Sequence, residues 1–285
     1  MAKEKYAIFT MDVEAFSDTE CVHNAGEHIT TDLLDGFDEY IKILDKHNIK
    51  STLFTVGSLA PKIADKLKSC LKNGHRLALH SYEHVAPIDT DAATFKSEIA
   101  HCKKRLGELF NTEISGFRAP FFSLDNNRLN ILKELGFKYD SSHLGFLAAR
   151  HTVDLDFKKF TKLSENIFKS DDFFEFSLSK EKIFGSFYPV SGGGYVRLSN
   201  WPFIKGVIKH HIKNNDYYVF YLHPFELTRK KIPTIKNLKA YDKYYLQAGI
   251  KSYGKHIEQI ILMLKKFGYS FITFEELSQK LSNEN

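Results

Sequence analysis

The amino-acid sequence predicts an α/β fold in which parallel strands are covered by helices. Apolar runs of strand length alternate with amphipathic stretches of helix length along most of the chain. Polar residues stand immediately beyond the carboxyl ends of several of these runs. Repeated strand–helix units form parallel sheets. In a barrel built from such units, active sites lie at the carboxyl ends of the strands, so these polar residues are the first functional candidates.

Seven apolar runs have the length and the β-branched or aromatic content of strands. The predicted strands are 6–11, 51–56, 76–79, 114–117, 137–139, 217–222 and 270–273. The polar residues that follow them are Asp12, His80, Arg118, Asp140 and His223.

The predicted helices repeat apolar residues at helical spacing. Thr30 or Thr31 can cap the first of them, and Gly74 and Gly136 end two others. The predicted helices are 33–44, 63–71, 92–110, 126–135, 204–212, 257–267 and 275–281. The segment from about 145 to 195 breaks the alternation and is expected to be an irregular insertion or a set of irregular strands. Because no linker or repeat is evident, we predict a single catalytic domain over residues 1–285.

Composition is that of an ordinary globular protein, with 43% hydrophobic and 26% charged residues. The net charge of +5 comes from lysines spread along the chain, so nucleic acid is not an expected partner. A basic surface could still favour an anionic substrate or a membrane surface. No stretch of about 18 uncharged apolar residues is present, which predicts no membrane span.

Three cysteines, Cys21, Cys70 and Cys102, are far apart in the sequence and odd in number. They indicate reduced thiols rather than a disulfide framework. No apolar signal-peptide region precedes the first predicted strand. Together these features predict a cytoplasmic location.

Side chains that can bind a metal ion or transfer a proton lie after the first and third predicted strands. His80 and His84 could both reach one cation if the segment turns helically after the strand. Asp12 and Glu14 are two residues apart at the end of an extended segment, so their carboxylates point the same way. One carboxylate can complete a two-histidine, one-carboxylate metal site, and the other can stay unligated and take a proton. A coincidental histidine pair and a solvated acidic turn are the alternatives.

Five short motifs occur in order, and with them the chain resembles the polysaccharide deacetylases that have a NodB-homology domain. The motifs are 9–14, 80–84, 118–121, 139–142 and 221–224. The resemblance covers roughly residues 5–275. The segments 189–195 and 223–226 look most similar to a bacterial subgroup associated with exopolysaccharide and surface-glycan synthesis. The first motif departs from the commoner paired-Asp form, because Val13 is inserted and Glu14 replaces an Asp.

The resemblance implies a distorted (β/α) barrel of about seven parallel strands, and it implies roles for the first two motifs. In the family the first motif supplies a catalytic base and then a metal-binding carboxylate, here Asp12 and Glu14. The second supplies paired histidine ligands, here His80 and His84. The expected cofactor is therefore one divalent metal ion, zinc.

The remaining motifs would complete the catalytic machinery. The resemblance implies that Arg118 pairs with the base and that the backbone at Phe121, after Pro120, helps to hold the oxyanion. In the same way, Asp140 would orient the arginine, and His223 would act as general acid.

A glycine-rich segment is a further candidate. Gly193, Gly194 and Tyr195, together with Pro120, are predicted to contact the substrate, with a simple chain connection as the alternative for the glycines. A phosphate cradle is excluded, because no Lys-Ser or Lys-Thr follows the glycines.

The implied function is removal of an N-acetyl group from an amino sugar during glycan biosynthesis. Water activated on the cation would attack the amide, with Asp12 as base and His223 as acid. The expected partner is an N-acetylated amino sugar or a glycan precursor. A deformylase, or another C–N hydrolase acting on a small molecule, would use the same machinery. A catalytically silent glycan-binding protein is the alternative from a different class.

Overall fold

The computed structural model describes residues 4–27, 29–145 and 155–283. Its strands are β1 Lys5–Val13, β2 Ser51–Thr55, β3 Arg76–Leu79, β4 Gly116–Phe117, β5 Tyr139–Asp140, β6 Thr161–Ser164, β7 Ile167–Ser170, β8 Phe173–Phe176, β9 Lys180–Ile183, β10 Ser186–Pro189, β11 Tyr217–Phe220 and β12 Tyr269–Phe271. Its α-helices are α1 Glu20–Ala25, α2 Asp35–His47, α3 Ala64–Lys72, α4 Ala92–Phe110, α5 Asn126–Glu134, α6 Gly193–Leu198, α7 Trp201–Asn214, α8 Ala240–Gln247, α9 Ile250–Lys266 and α10 Phe274–Asn283.

The chain forms two compact units. Unit 1 combines Met1–Ile49 with Lys180–Phe271, and unit 2 combines Lys50–Ser179 with Ile272–Asn285. Each unit draws on two separate stretches of sequence. The assignment of the whole chain to one catalytic domain stays a prediction.

In unit 1, strand β1 lies between β11 and β12 and is parallel to both. It is buried along almost its whole length, as expected for a strand covered on both faces. Phe9 of β1 stacks on Phe220 of β11 at 4.9 Å between ring centroids and packs on Phe271 of β12 at 5.7 Å. This packing fixes the carboxyl end of β1, where Asp12 lies. A separate antiparallel hairpin, β9–β10, completes the strands of this unit.

In unit 2, strands β2, β3, β4, β5 and β8 are successive parallel neighbours. Strands β7 and β6 then continue antiparallel to β8. His80 and Arg118 directly follow β3 and β4, and Asp140 is the last residue of β5. Helix α4 is capped at its N-terminus, because the Asp91 carboxylate accepts hydrogen bonds from the backbone N–H groups of the first turn.

The prediction of an α/β fold with parallel strands is confirmed in both units. All seven predicted strands are present, although β4 and β5 are only two residues long. The predicted irregular insertion is more regular than expected: its described part contains β6 to β10 and begins α6. Residues 146–154 of that insertion lie outside the described residues. The short helices α1, α6 and α8 were not predicted. Within the described part of the chain, no helix is both long and apolar enough to cross a membrane.

Candidate active site

The carboxyl end of β1 presents two acidic side chains in unit 1. Asp12 lies in the strand and Glu14 directly follows it, and both are buried. The backbone N–H of Asp12 donates to the carbonyl of Leu222 at 3.0 Å, which ties β1 to the segment that follows β11. That segment carries His223, so strand pairing brings the predicted base and the predicted acid together.

His223 lies between two carboxylates of unit 1. Its Nε2 is 3.9 Å from Asp12 Oδ2, which is longer than a hydrogen bond. Its Nδ1 is 3.3 Å from Glu226 Oε2, and its backbone N–H donates to the same oxygen at 3.1 Å. Glu226 therefore holds the ring by one nitrogen and aims the other towards Asp12.

Glu226 is in turn paired with an arginine of helix α6. Its Oε1 accepts a hydrogen bond from Arg197 Nε at 2.9 Å, and both side chains are completely buried. The Arg197 guanidinium also donates to the carbonyl of Ala248. The pKa of Glu226 is raised by burial, but Arg197 and His223 outweigh this and hold it below its ordinary value. Neither Arg197 nor Glu226 was predicted as a site residue.

These charges change the protonation of His223. Burial by itself lowers the pKa of the imidazole, but the carboxylates of Glu14, Glu226 and Asp12 outweigh it and raise the pKa to about 9. The ring is therefore mostly protonated at neutral pH. A protonated imidazole beside the Asp12 carboxylate has the arrangement required of an acid and a base in one reaction.

The glycine segment packs against the strand that leads to His223. Gly192 has φ +102°, and an added Cβ would come within 2.3 Å of the Tyr221 carbonyl oxygen. Added Cβ atoms at Gly193 and Gly194 would meet the rings of Tyr221 at 2.8 Å and Tyr245 at 2.6 Å. Close packing thus explains the glycines. Substrate contact by Gly193, Gly194 and the partly exposed Tyr195 stays a prediction.

In unit 2, His80 and His84 face each other across an irregular loop. Their ring centroids are 5.0 Å apart. The segment does not turn helically, which was the condition considered for this pair: it is a bend with left-handed φ values of +58° at Ser81 and +56° at His84. The loop nevertheless brings the two rings together, and the ring of Phe121 packs edge-on against His84 at 4.8 Å.

A hydrogen bond fixes the tautomer of His80. Its Nδ1 lies 2.8 Å from the carbonyl oxygen of Arg118. A carbonyl can only accept a hydrogen bond, so Nδ1 carries the proton and Nε2 keeps its lone pair. Metal-binding histidines are typically oriented in this way by a partner on the other ring nitrogen.

Arg118 is completely buried after β4. Its Nε donates to the Ser141 carbonyl at 3.0 Å and its Nη2 to Ser141 Oγ at 2.9 Å. The guanidinium carbon lies 4.1 Å from the ring centroid of Phe54. Ser141, which was not predicted as a site residue, thus accepts two of the hydrogen bonds that orient this arginine.

Asp140 contacts the segment that follows it. Its carboxylate accepts from the backbone N–H of Ser142 at 2.9 Å and from Ser142 Oγ at 2.8 Å. Ser142 Oγ in turn accepts from the N–H of Ala119 at 2.8 Å. Asp140 therefore supports the loop that begins with Arg118 and continues through Pro120 to Phe121. Direct orientation of the guanidinium by Asp140 stays a prediction.

Glu175 of β8 is the register partner of Asp140, and both side chains are buried. Burial, followed by the charge of Asp140, raises the pKa of Glu175 well above its ordinary value. Burial also raises the pKa of Asp140. If both groups were ionised, Glu175 Oε2 would have no hydrogen-bond donor among the described residues. A proton retained on Glu175 resolves both observations, because it can be donated to Asp140.

Comparisons with known proteins agree with this architecture. Residues 29–139 match the family model described as "Polysaccharide deacetylase", and residues 150–278 match a "Domain of unknown function (DUF3473)". A crystal structure of a putative polysaccharide deacetylase from Mycobacterium smegmatis covers 100% of this chain, and the match spans 93% of that structure at a TM-score of 0.63 and 16% identity. This similarity confirms the predicted fold class. Residues 29–139 of the chain are therefore a region of the polysaccharide deacetylase family.

Curated relatives match only part of the chain. A peptidoglycan deacetylase of Helicobacter pylori is 25% identical over 107 residues, which are 38% of this chain and 36% of that protein. A peptidoglycan-N-acetylglucosamine deacetylase of Bacillus cereus is 28% identical over 99 residues, 34% of this chain and 36% of that protein. The chain therefore spans a little over a third of the length of these relatives.

Proposed function

We propose that the chain is a metal-dependent hydrolase that removes an N-acetyl group from an amino sugar in glycan biosynthesis. The Asp12–His223 pair carries this proposal, with its 3.9 Å separation and with Glu226 holding the other nitrogen of the imidazole. Hydrolysis of an amide requires water to lose a proton and the leaving nitrogen to gain one. The family and the names of the curated relatives support a glycan N-acetyl group as the substrate.

The proposed cation ligands are Glu14, His80 and His84, all of which are buried. The fixed tautomer of His80 fits this role, because it leaves Nε2 available as a donor atom. Two imidazoles and one carboxylate form a donor set typical of catalytic zinc, so zinc is the proposed metal. When bound, the cation would polarise the amide carbonyl and make a water more acidic.

The protein side chains would then move the protons. Asp12 would accept a proton from the attacking water as the new C–O bond forms. His223 would donate its Nε2 proton to the amide nitrogen as the C–N bond breaks, giving acetate and a free amine. In this proposal Arg118 pairs with Asp12, and the Phe121 N–H supports the oxyanion, where one donor is worth about 3–4 kcal/mol.

Metal analysis combined with acetate release tests this function. The purified chain should bind about one zinc and release acetate from N-acetylglucosamine oligomers. Replacing both His80 and His84 with Ala should abolish metal binding and activity without unfolding the protein. The exposed histidines His101 and His210 provide a matched control, and their double Ala variant should keep both properties.

Three results would contradict the proposal. Full metal content in the His80→Ala/His84→Ala variant would exclude the proposed ligands. Release of formate from N-formyl substrates without release of acetate would favour a deformylase. Glycan binding with no hydrolysis in the zinc-loaded protein would favour a silent binding protein.

We further propose a cytoplasmic location and a substrate of limited size, such as a nucleotide-linked or lipid-linked sugar. The absence of a disulfide among Cys21, Cys70 and Cys102 supports this location. Fractionation of the native cells should recover the protein with cytoplasmic markers. Recovery outside the cell, or activity confined to insoluble wall polymer, would overturn this proposal.

A further inference from the structure

The hairpin β9–β10 ends in an unusual turn. Ile183 pairs with Ser186, so Phe184 and Gly185 form a two-residue loop. Their φ values are +48° and +86°. Two positive φ values define the type I′ turn, which strongly favours Asn, Asp or Gly at its first position. A bulky aromatic residue is unfavourable there.

Burial does not compensate for this backbone conformation. The Phe184 side chain is fully exposed at 102% of its reference area. Phe187 and Tyr188 on the next strand are also exposed, at 49% and 39%. Among the described residues, Phe184 thus has neither a favourable backbone conformation nor a packing role, and an exposed aromatic ring at a hairpin tip is suited to contact with a partner surface.

The two faces of the hairpin differ in charge. On the inner face Glu181 binds His211 of α7 at 2.9 Å, and Tyr188 packs on Phe203 of α7 at 5.5 Å. Residues directly opposite each other in an antiparallel pair share a face, and Phe187 is paired with Lys182.

The outer face is basic and aromatic. Lys180 joins Lys182 and Phe187 there, with its Nζ 4.7 Å from the centroid of the Phe187 ring. The hairpin's one carboxylate, Glu181, lies on the inner face. The outer face therefore carries two lysine ammonium groups and the exposed ring of Phe187. The exposed ring of Phe184 lies next to it, at the tip of the hairpin.

We propose that the hairpin β9–β10 binds the surface of an anionic membrane. Phe184 and Phe187 insert at the boundary between headgroups and acyl chains, and Lys180 and Lys182 contact the lipid phosphates. Aromatic side chains favour this depth, and clustered lysines are attracted by the negative surface potential of anionic lipids.

A second copy of the chain fits this surface poorly. A symmetric contact would bring the same two lysines against their own equivalents, which like-charge repulsion opposes. The two exposed phenylalanines, at about 150–250 Å² for each side chain, would supply only part of the roughly 1,200 Å² that a stable dimer buries. Shallow insertion into lipid requires no such area.

Flotation with lipid vesicles tests the proposal on the full chain. The protein should bind vesicles of phosphatidylcholine with phosphatidylglycerol more tightly than vesicles of phosphatidylcholine alone. Phe184→Asn should lower this partitioning about tenfold. Because Asn is favoured in a type I′ turn, the same variant should keep or raise Tm. Binding lost without a loss of stability identifies a surface role.

A second variant tests the basic component. Lys182→Gln should lower binding to the anionic vesicles about fivefold and leave the weak binding to phosphatidylcholine unchanged. The matched controls are Leu262→Ser and Lys266→Gln, two exposed positions of α9, and both should bind like the wild type.

Two outcomes would overturn the proposal. One is equal partitioning of the wild type and Phe184→Asn. The other is no vesicle binding by the wild type together with self-association that Phe184→Asn disrupts, measured by sedimentation equilibrium, which would assign the hairpin to a protein interface.

Discussion

Asp12→Asn is expected to lower kcat by about 10²- to 10⁴-fold, the usual contribution of a general base, while metal content stays near one per chain. Asn is nearly isosteric with Asp, so the end of β1 should keep its shape. The amide cannot accept the proton that the proposed mechanism gives to Asp12. Metal analysis and steady-state kinetics measure the two effects separately.

Glu14→Ala should have the opposite effect on metal content. Removal of a proposed ligand should empty the metal site, and excess cation should restore part of the activity. The exposed Asp45 of α2 provides a matched control, because Asp45→Asn should change neither metal content nor kcat. If Asp12→Asn loses the metal while Glu14→Ala retains it, the roles of the two carboxylates are reversed.

Glu226→Gln should produce the largest loss of stability. Removing one partner of a buried ion pair leaves an uncompensated charge, here on Arg197, and typically costs about 3–5 kcal/mol of unfolding free energy. Glu39→Gln is a suitable control, because the partners of Glu39 are exposed cations of Lys42 and Arg229. It should cost less than about 1 kcal/mol. Chemical denaturation of each variant measures these differences.

The same substitution should change the titration of His223. Glu226 is one of the carboxylates that raise the pKa of this imidazole to about 9, so the pKa should fall in Glu226→Gln. A raised pKa in the folded state stabilises the fold below the ordinary pKa of about 6.5, and this contribution is lost as pH rises through about 9. The stability of the metal-free wild type should therefore decline over this interval, and that of Glu226→Gln should decline less. NMR titration of the imidazole provides the direct measurement.

A double variant separates charge from packing. Removing both partners in Arg197→Met/Glu226→Gln leaves no buried unpaired charge, so it should be more stable than Glu226→Gln alone. Wild-type stability in Glu226→Gln would show that the ion pair does not support the fold.

Local sequence patterns determined much of the fold. Runs of apolar residues identified the parallel strands, because a strand covered on both faces must be apolar along its length. The same runs identified Asp12, His80, Arg118, Asp140 and His223 as candidates, because the end of each predicted strand shows which residue lies at the carboxyl edge of the sheet. The roles of these residues came from the resemblance, and they stay predictions.

Tertiary structure decided the contacts that join distant segments. Arg197 and Glu226 are 29 positions apart, and Glu175 reaches Asp140 only through the pairing of β8 with β5. Neither pairing leaves a local spacing signal, because strand order and register set it. The exposed aromatic residues of β9–β10 were hidden for the same reason: Phe184 and Phe187 look like core residues in the sequence, until the turn and the strand pairing place both rings in solvent. Periodicity reports which face of an element is apolar, whereas only the packed chain determines what each face meets.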